Sequence, residues 1–419
     1  MSDRRPGRAD LESANRCVMC GLCLPHCPTY RKTRDESESP RGRISLIRAF
    51  GDGSLPVTGR LTEHLDNCLS CRACEAVCPA RVPYGALLDN ARATLLDTRP
   101  AASRFSGRMG RGLVTNRLAL ALASTLLAVY RKTGLQRLLR ASGLARLSKR
   151  VARLERMLSP AQATAGKPAG QFEPPSRRAP VVSLFRGCVS RITDADTLRA
   201  CEAMLERLGF RVEVPRRQTC CGALHLHAGD RRSAAVFLER NIQAFGRDAT
   251  NAIVSAATGC GVQLHEAAPE LCGAPGEALS RRHADISVFL ARHPWPDSLQ
   301  LSPLKRRVAI HTPCSQANVL GGVEEMTNLL SRIPDIDLAE LADNRLCCGA
   351  AGSHMLTHPR MADELARDKV SLIRASGANI VVTSNVGCRM HLQGAASASG
   401  LNLEILHPVT LLARQAGLS

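Results

Sequence analysis

Two runs of four cysteines near the amino terminus constrain this chain more than any other feature. They are Cys17, Cys20, Cys23 and Cys27-Pro28, then Cys68, Cys71, Cys74 and Cys78-Pro79. Both follow C-x2-C-x2-C-x3-C-P, the spacing at which thiolates cage a cubane [4Fe–4S] cluster. Three cysteines on one tight loop address three irons of a cube. The fourth, carried past the turn by its proline, reaches the neighbouring cube. The pattern predicts one cluster on Cys17, Cys20, Cys23 and Cys78 and a second on Cys68, Cys71, Cys74 and Cys27. Structural zinc is the competing reading, but zinc motifs group their cysteines in pairs. A segment folded around two such cubes moves electrons.

Size and charge narrow the rest. A chain of 419 residues, 44% hydrophobic, is long enough for roughly three domains with real cores. Eighteen cysteines over this length do not make the disulfide framework of a short secreted protein. Iron–thiolate chemistry needs a reducing compartment, so a cytoplasmic location is expected. Residues 1–6 hold a basic pair with no apolar run behind it, unlike a secretory signal. The best apolar stretch, residues 118–130, falls short of a membrane span. At most the protein lies peripherally on the cytoplasmic face of the inner membrane. The net charge of +19 is concentrated: residues 99–158 hold fourteen Lys/Arg against one acid, Glu155. Nucleic acid is excluded as the partner, because neither interleaved aromatics nor a recognition motif accompanies the charge.

The fold class expected is α+β and multidomain: a helical two-cluster module followed by two repeated α/β domains with parallel sheets. Residues 1–98 form the cluster module, with Ser39-Pro40-Arg41-Gly42-Arg43-Ile44 and a short helix between the cysteine runs. Residues 99–158 read as basic amphipathic helices. There Leu144, Leu147, Val151, Leu154 and Leu158 share one face, and Arg146, Lys149, Arg150, Arg153 and Arg156 lie between them. That segment packs on its own protein, or meets a partner subunit or anionic headgroups. Residues 159–180, with Pro160, Pro168, Pro174, Pro175 and Pro180, form a linker.

Residues 181–300 and 301–419 are an internal duplication. Cys188, Cys220, Cys221 and Cys260 follow C-x31-CC-x38-C; Cys314, Cys347, Cys348 and Cys388 follow C-x32-CC-x39-C. Strand-like runs Val181-Val182-Ser183-Leu184-Phe185, Ala252-Ile253-Val254-Ser255, Val308-Ala309-Ile310 and Ile380-Val381-Val382-Thr383 each end just before a cysteine. Helical patterns between them, such as Leu198, Cys201, Leu205 and Leu208, imply open parallel sheets. Such sheets gather ligands beyond the carboxyl ends of their strands, so each set of four thiols is drawn to one rim. Adjacent cysteines suit a site with more than one iron better than one tetrahedral zinc; a metal-free redox thiol pair is the other option. Cys201 and Cys272 have no counterpart in the second copy and read as core thiols. His64, beside the second run, reads as a helix-cap or surface histidine. His225, His227, His354, His358 and His391 flank the repeat cysteines, as cluster-tuning hydrogen-bond donors or as structural residues.

Together the two runs, the Ser-Pro-Arg-Gly-Arg segment and the tandem Cys-Cys-Gly phrases resemble the glycolate oxidase iron–sulfur subunit family. That family is related to the iron–sulfur subunits of anaerobic glycerol-3-phosphate dehydrogenase and heterodisulfide reductase. Glu63-His64-Leu65-Asp66-Asn67-Cys68-Leu69-Ser70-Cys71-Arg72, Leu346-Cys347-Cys348-Gly349 and Thr357-His358-Pro359 carry the likeness, which covers 10–98 and 181–415 and is loosest across 99–180. The resemblance implies an electron-transfer subunit relaying electrons from FAD-binding partner subunits, which oxidise glycolate to glyoxylate, toward a quinone or another acceptor. It also implies two [4Fe–4S] clusters, one further cluster per repeat or a degenerate site there, and FAD only on the partners. In heterodisulfide reductase-like repeats a fifth cysteine closes the set; here Ala257 and Asn385 stand in its place. That departure counts against disulfide chemistry. A lactate or glycerol-3-phosphate dehydrogenase subunit, a thiol–disulfide oxidoreductase and a scaffold with redox-silent clusters are the alternatives. The chain has no G-x-G-x-x-G behind a strand and so no dinucleotide site of its own. It offers no catalytic residue for the substrate.

Overall fold

The computed structural model describes residues 8–99, 101–142, 148–158, 176, 178–246 and 251–418. Most of the expected linker, residues 1–6, and Leu144, Arg146 and Leu147 lie outside the described residues.

Among the described residues, 8–99 contain helices and turns only. The helix Pro40–Gly51 starts where the sequence signals it. Ser39 Oγ accepts a bond from Gly42 N (2.9 Å), and Pro40 fills the first turn, where no N–H is needed. Glycine is required at 42, since a Cβ there would lie 1.9 Å from the Glu36 carbonyl oxygen. Ile44, Ile47 and Phe50 turn inward against Leu61 and Leu65 of Gly59–Asp66 and Leu87, Leu88 and Leu95 of Tyr84–Leu96. This is a core at helical spacing.

The duplication forms two four-stranded sheets, parallel throughout. The first comprises β1 (Val181–Phe185), β2 (Arg211–Glu213), β3 (Ala252–Ser255) and β4 (His283–Asp285), in the order β2-β1-β3-β4. The second comprises β5 (Arg307–Ile310), β6 (Asp337–Glu340), β7 (Ile380–Val382) and β8 (Glu404–Leu406), in the order β6-β5-β7-β8. Register pairs Val182 with Ala252 and Val308 with Ile380. The central strands are covered on both faces, which explains their unbroken apolar runs. Strand order reverses between β1 and β3, and between β5 and β7, so each sheet has a crevice at that point of its carboxyl rim.

The two repeats share one core and pack helices on each other reciprocally. Ala195–Arg207 of the first packs on Pro408–Gln415 of the second, and Ile286–Arg292 packs on Val323–Leu330 in return. Met204 and Leu205 meet Leu411 and Leu412 in this shared core, and Cys201 is fully buried there. Polar bonds stitch the joint: Thr258 N donates to Ser384 O (3.1 Å), Ser315 Oγ to Thr258 Oγ1 (2.7 Å), and buried Arg389 pairs with buried Asp194.

The basic segment forms helices Ala101–Thr115, Arg117–Lys132, Leu135–Ser142 and Lys149–Met157. Leu120 enters the core of the first repeat, and Met157 that of the second. The expected apolar face of the last helix is not the buried one. Leu154 is 52% exposed, while Glu155 and Met157 are buried. The reason is local: Met157 packs against Gly394, and Glu155 accepts bonds from Gln136 Nε2 (3.0 Å) and Tyr130 OH (3.3 Å). On the outside, Phe105, Met109, Leu113, Leu118, Leu122 and Leu126 recur every four residues within each helix and stay exposed. No helix among the described residues is long and apolar enough to cross a membrane.

Candidate metal centres

The two cysteine loops of the first module are built alike. Met19 and Gly21 in the first, Ser70 and Arg72 in the second, take left-handed backbone angles (φ 57°, 83°, 49° and 59°). These alternating turns curl each loop around a point. Cys17, Cys20, Cys23 and Cys78 line one cavity, about 470 Å³ of atom-free space running out to solvent, with Cys74 in its wall. Cys27, Cys68, Cys71 and Cys74 line a second, about 300 Å³. The fourth cysteine of each run thus lies with the other run's loop. Two groups of four thiols around two adjoining spaces fit the donor set of two cubanes.

The surroundings are charged in a particular way. Arg43 is 1% exposed and pairs with Glu38; it also donates to Thr29 Oγ1 (3.1 Å) and to the His64 carbonyl (2.7 Å). Burial alone would lower its pKa, but Cys68, Tyr84, Cys27 and Glu38 together raise it. A fixed cation therefore lies beside the second cavity, and Tyr84 OH donates to Cys68 Sγ (3.5 Å). Burial pushes the Cys71 and Cys74 thiols well up, and Cys23 to about 11. Without a cation these sulfurs resist ionising; bound iron favours the thiolate.

At the carboxyl rim of each sheet the repeat cysteines converge as expected. In the first, Cys188 Sγ lies 3.3 Å from Cys220 Sγ, and Cys221 interacts with both Cys220 and Cys260. In the second, Cys314 Sγ lies 3.9 Å from Cys347 Sγ, and Cys348 interacts with both Cys347 and Cys388. The paired cysteines end on a left-handed glycine in both (Gly222 φ 91°, Gly349 φ 89°), whose N–H donates to the first sulfur of the pair at 3.4 Å. A side-chain amide bridges the strand end to this loop in each copy. Gln218 Oε1 accepts from Arg186 N (2.7 Å), and Asn344 Oδ1 from Thr312 N (2.9 Å).

What covers the two rims differs. Leu120 of a basic helix packs into the cysteine-bearing core of the first repeat. The second abuts the cluster module: Cys71, Leu69, Cys347 and Leu365 form one buried cluster, and Asn318 Nδ2 donates to the Cys71 carbonyl (2.8 Å).

The histidines singled out in the sequence make their contacts elsewhere. His225 Nδ1 meets Asp230 (3.2 Å), His227 Nδ1 meets Asp89 (3.4 Å), His354 stacks on His358, and His391 Nε2 meets the Ala362 carbonyl (3.0 Å). His64 Nδ1 meets Glu38 Oε1 (2.7 Å). Cys272 packs at the edge of the first repeat's core. Two residues went unnoticed in the sequence, His311 and Lys369 of the second repeat, and Asn385 gains a contact there. His311 groups with Cys348 and Cys388, their ligand atoms within 4.8 Å of one another. Lys369 is buried and donates to the Asp343 carbonyl (2.6 Å). Burial lowers its pKa, while Cys348 and Cys347 pull it back up. Asn385 Nδ2 donates to Cys388 Sγ (3.5 Å).

Comparison with known proteins agrees with this geometry. Family models described as "4Fe-4S dicluster domain" and "Cysteine-rich domain" match residues 13–82, and 182–265 with 308–393. A third, "Glycolate oxidase iron-sulfur subunit, linker region", matches residues 108–158. The glycolate oxidase iron-sulfur subunit of Escherichia coli (strain K12) is 31% identical over 91% of this chain and 90% of its own length. The chain belongs to the glycolate oxidase iron–sulfur subunit family. A probable subunit of the same kind from Bacillus subtilis (strain 168) is 29% identical over 96% of this chain and 94% of its own. Lactate utilization protein A of Halalkalibacterium halodurans is 27% identical over 56% of this chain and 97% of its own. As a member of this family the chain is an iron–sulfur oxidoreductase subunit, and its basic helices, where the sequence likeness looked loosest, carry a family signature of their own.

Proposed function

We propose that the chain is the electron relay of a glycolate-oxidising complex whose flavin lies on a partner subunit. In that complex glycolate loses two electrons and two protons to become glyoxylate, and the reduced flavin hands its electrons on singly. Cys17, Cys20, Cys23 and Cys78 would hold one cluster, and Cys68, Cys71, Cys74 and Cys27 the other. When bound, each cubane supplies one-electron redox chemistry. The chain's own residues do the rest. Arg43, paired with Glu38, lines the second cavity, and Tyr84 donates toward Cys68. The observation that carries the reading is the pair of adjoining four-thiol cavities, the second abutting the rim of a cysteine-rich repeat.

Electrons would leave toward a quinone or another acceptor. The exposed apolar stripes from Phe105 to Leu126, in a segment of net charge +13, support attachment to an anionic membrane surface. A lactate-oxidising complex is the second reading, favoured by the lactate utilization relative. Anaerobically purified protein is expected to be brown with at least eight irons per chain. Cys71→Ala is expected to abolish electron transfer to an artificial acceptor while substrate still bleaches the partner's flavin. Equal loss of both activities would sink the relay role. Which hydroxy acid bleaches that flavin, glycolate or lactate, separates the two readings.

A further inference from the structure

The two repeats hold their sulfurs in the same frame, yet one position beside those sulfurs differs in kind. His311 follows β5 directly; the residue three before the first cysteine of the other copy is Phe185. His311 is 1% exposed. Its backbone N–H donates to the Val382 carbonyl (2.9 Å), extending the β5–β7 ladder and fixing the residue at the rim. Its ring is fixed too, because Nδ1 bonds Thr383 Oγ1 at 3.0 Å. Nε2, a buried atom, has no hydrogen-bond partner, and in the tautomer where Nδ1 donates to that hydroxyl it presents a bare lone pair. Leaving such an atom unsatisfied is costly, and a buried orphan of this kind calls for an explanation.

The neighbours supply one. The His311 ligand atom, Cys348 Sγ and Cys388 Sγ all lie within 4.8 Å of one another, with Cys347 and Cys314 next in line. The position of the absent fifth thiol is Asn385, which donates a hydrogen bond to Cys388 instead of a ligand. In the first repeat the matching positions are Ala257 and Phe185, and neither bears a donor atom.

We propose that His311, through Nε2, is a nitrogen ligand of the metal centre in the second repeat, beside Cys348 and Cys388, whereas the first repeat's site has sulfur donors only. The inference rests on the iron–sulfur reading above. Imidazole in place of thiolate removes one negative charge and raises a cluster's reduction potential. The centre that abuts Cys71 would then be the more oxidising of the two repeats' sites.

The test is anaerobic full-length protein compared with His311→Phe, which installs the first repeat's own residue, and His311→Cys, which offers sulfur instead. Pulsed electron paramagnetic resonance of the reduced wild type is expected to show one centre with strong 14N coupling. His311→Phe loses that coupling while both dicluster signals persist, and His311→Cys retains the centre at a lower midpoint potential. If the repeat's metal is zinc, absorption at the zinc edge shows one nitrogen neighbour in the wild type and none in His311→Phe, which equally supports the ligand. Unchanged nitrogen coupling and unchanged midpoints in both variants overturn the proposal. Wild-type protein holding only the eight irons of the dicluster and no zinc also overturns it, and leaves the relay reading standing. Loss of the dicluster signals from the wild type itself would instead sink that reading.

Discussion

The two repeats have the same frame and different surroundings. Strand order, the glycine-terminated cysteine pair, the amide latch and the rim position of four thiols occur in both. The second alone brings His311, Lys369 and Asn385 to its sulfurs and lies against Cys71; the first is covered by Leu120 of a basic helix. Topology fixes where ligands gather, and the side chains around that point determine which chemistry the site supports. Duplication therefore copied a location, and the packing of the Cys71 loop against the rim of one copy gave the two locations different neighbours.

The largest expected effect comes from the joint that holds the copies in register. Arg389→Met leaves Asp194 buried without its partner, and such a loss costs about 3–5 kcal/mol. A large fall in the thermal unfolding midpoint checks this. Asp194→Leu combined with Arg389→Met removes both charges and is expected to recover most of the loss. If the double variant is as unstable as the single, the joint is not governed by this pair.

Next is the glycine that ends each cysteine pair. Alanine at Gly222 or Gly349 must adopt a left-handed backbone, at about 1–2 kcal/mol. A new Cβ meets Ala234 backbone atoms at 3.1 Å in the first copy, but the Ala362 carbonyl oxygen at 2.7 Å in the second. Gly349→Ala is therefore expected to destabilise more than Gly222→Ala, measured as urea midpoints. Equal shifts would mean that the helix Pro359–Ser376 yields freely.

The same comparison shows what a sequence reader can and cannot see. β1, β3, β5 and β7 are legible because central strands need continuous apolar runs. β2, Arg211-Val212-Glu213, and β6, Asp337-Leu338-Ala339-Glu340, are short and polar at their ends, and edge pairing leaves no alternating pattern to find. The π-helical turns Gln263–Ala267 and Gln316–Leu320 beside the repeat cysteines leave no periodic signal either. The cluster cysteines are legible because covalent geometry demands fixed spacing. His311 was legible in principle. Aligning the copies at their first cysteines sets it opposite Phe185, a mismatch that strand periodicity alone treats as neutral.

The helix after the last strand of each copy starts on a different titratable cap, and the two respond to pH in opposite senses. Asp285 caps the first, accepting from Ser287 N (2.8 Å), and burial raises its pKa to about 6. His407 caps the second, accepting from Val409 N (3.0 Å), and burial, with Arg389 adding to it, lowers its pKa to about 3. For Asp285 the folded state holds its proton longer than the unfolded chain, so its contribution is lost as pH rises from about 4 to 6. For His407 the unfolded chain takes up the proton first. Its contribution is complete above about 6.5 and is lost as pH falls toward 3. Each slope is at most about 1.4 kcal/mol per pH unit. Asp285→Asn is expected to steepen acid destabilisation between pH 6 and 5, and His407→Asn, which keeps a capping oxygen, to flatten it. Parallel pH profiles for both variants and wild type would refute the assignment.

Smallest in energy, but closest to function, is the contact between the second repeat and the cluster loop. Asn318 lies in the π-helical turn just after Cys314, and the equivalent residue of the first repeat, counted from its own first cysteine, is Ile192. Ile192 packs into the core that takes in Leu120, whereas Asn318 donates to the Cys71 carbonyl at 2.8 Å. Asn318→Ile makes the second copy like the first at this point. One hydrogen bond is worth about 1 kcal/mol net, so the unfolding midpoint is expected to fall only slightly. The sharper readout is electrochemical. Asn318 joins the second repeat to the backbone of a cluster-module cysteine. Its loss should shift the midpoint of the Cys71-bearing cluster and leave the first cubane and the first repeat alone. If all midpoints stay put, the second repeat touches the cluster loop without influencing it, and the difference between the copies is one of packing rather than of electron flow.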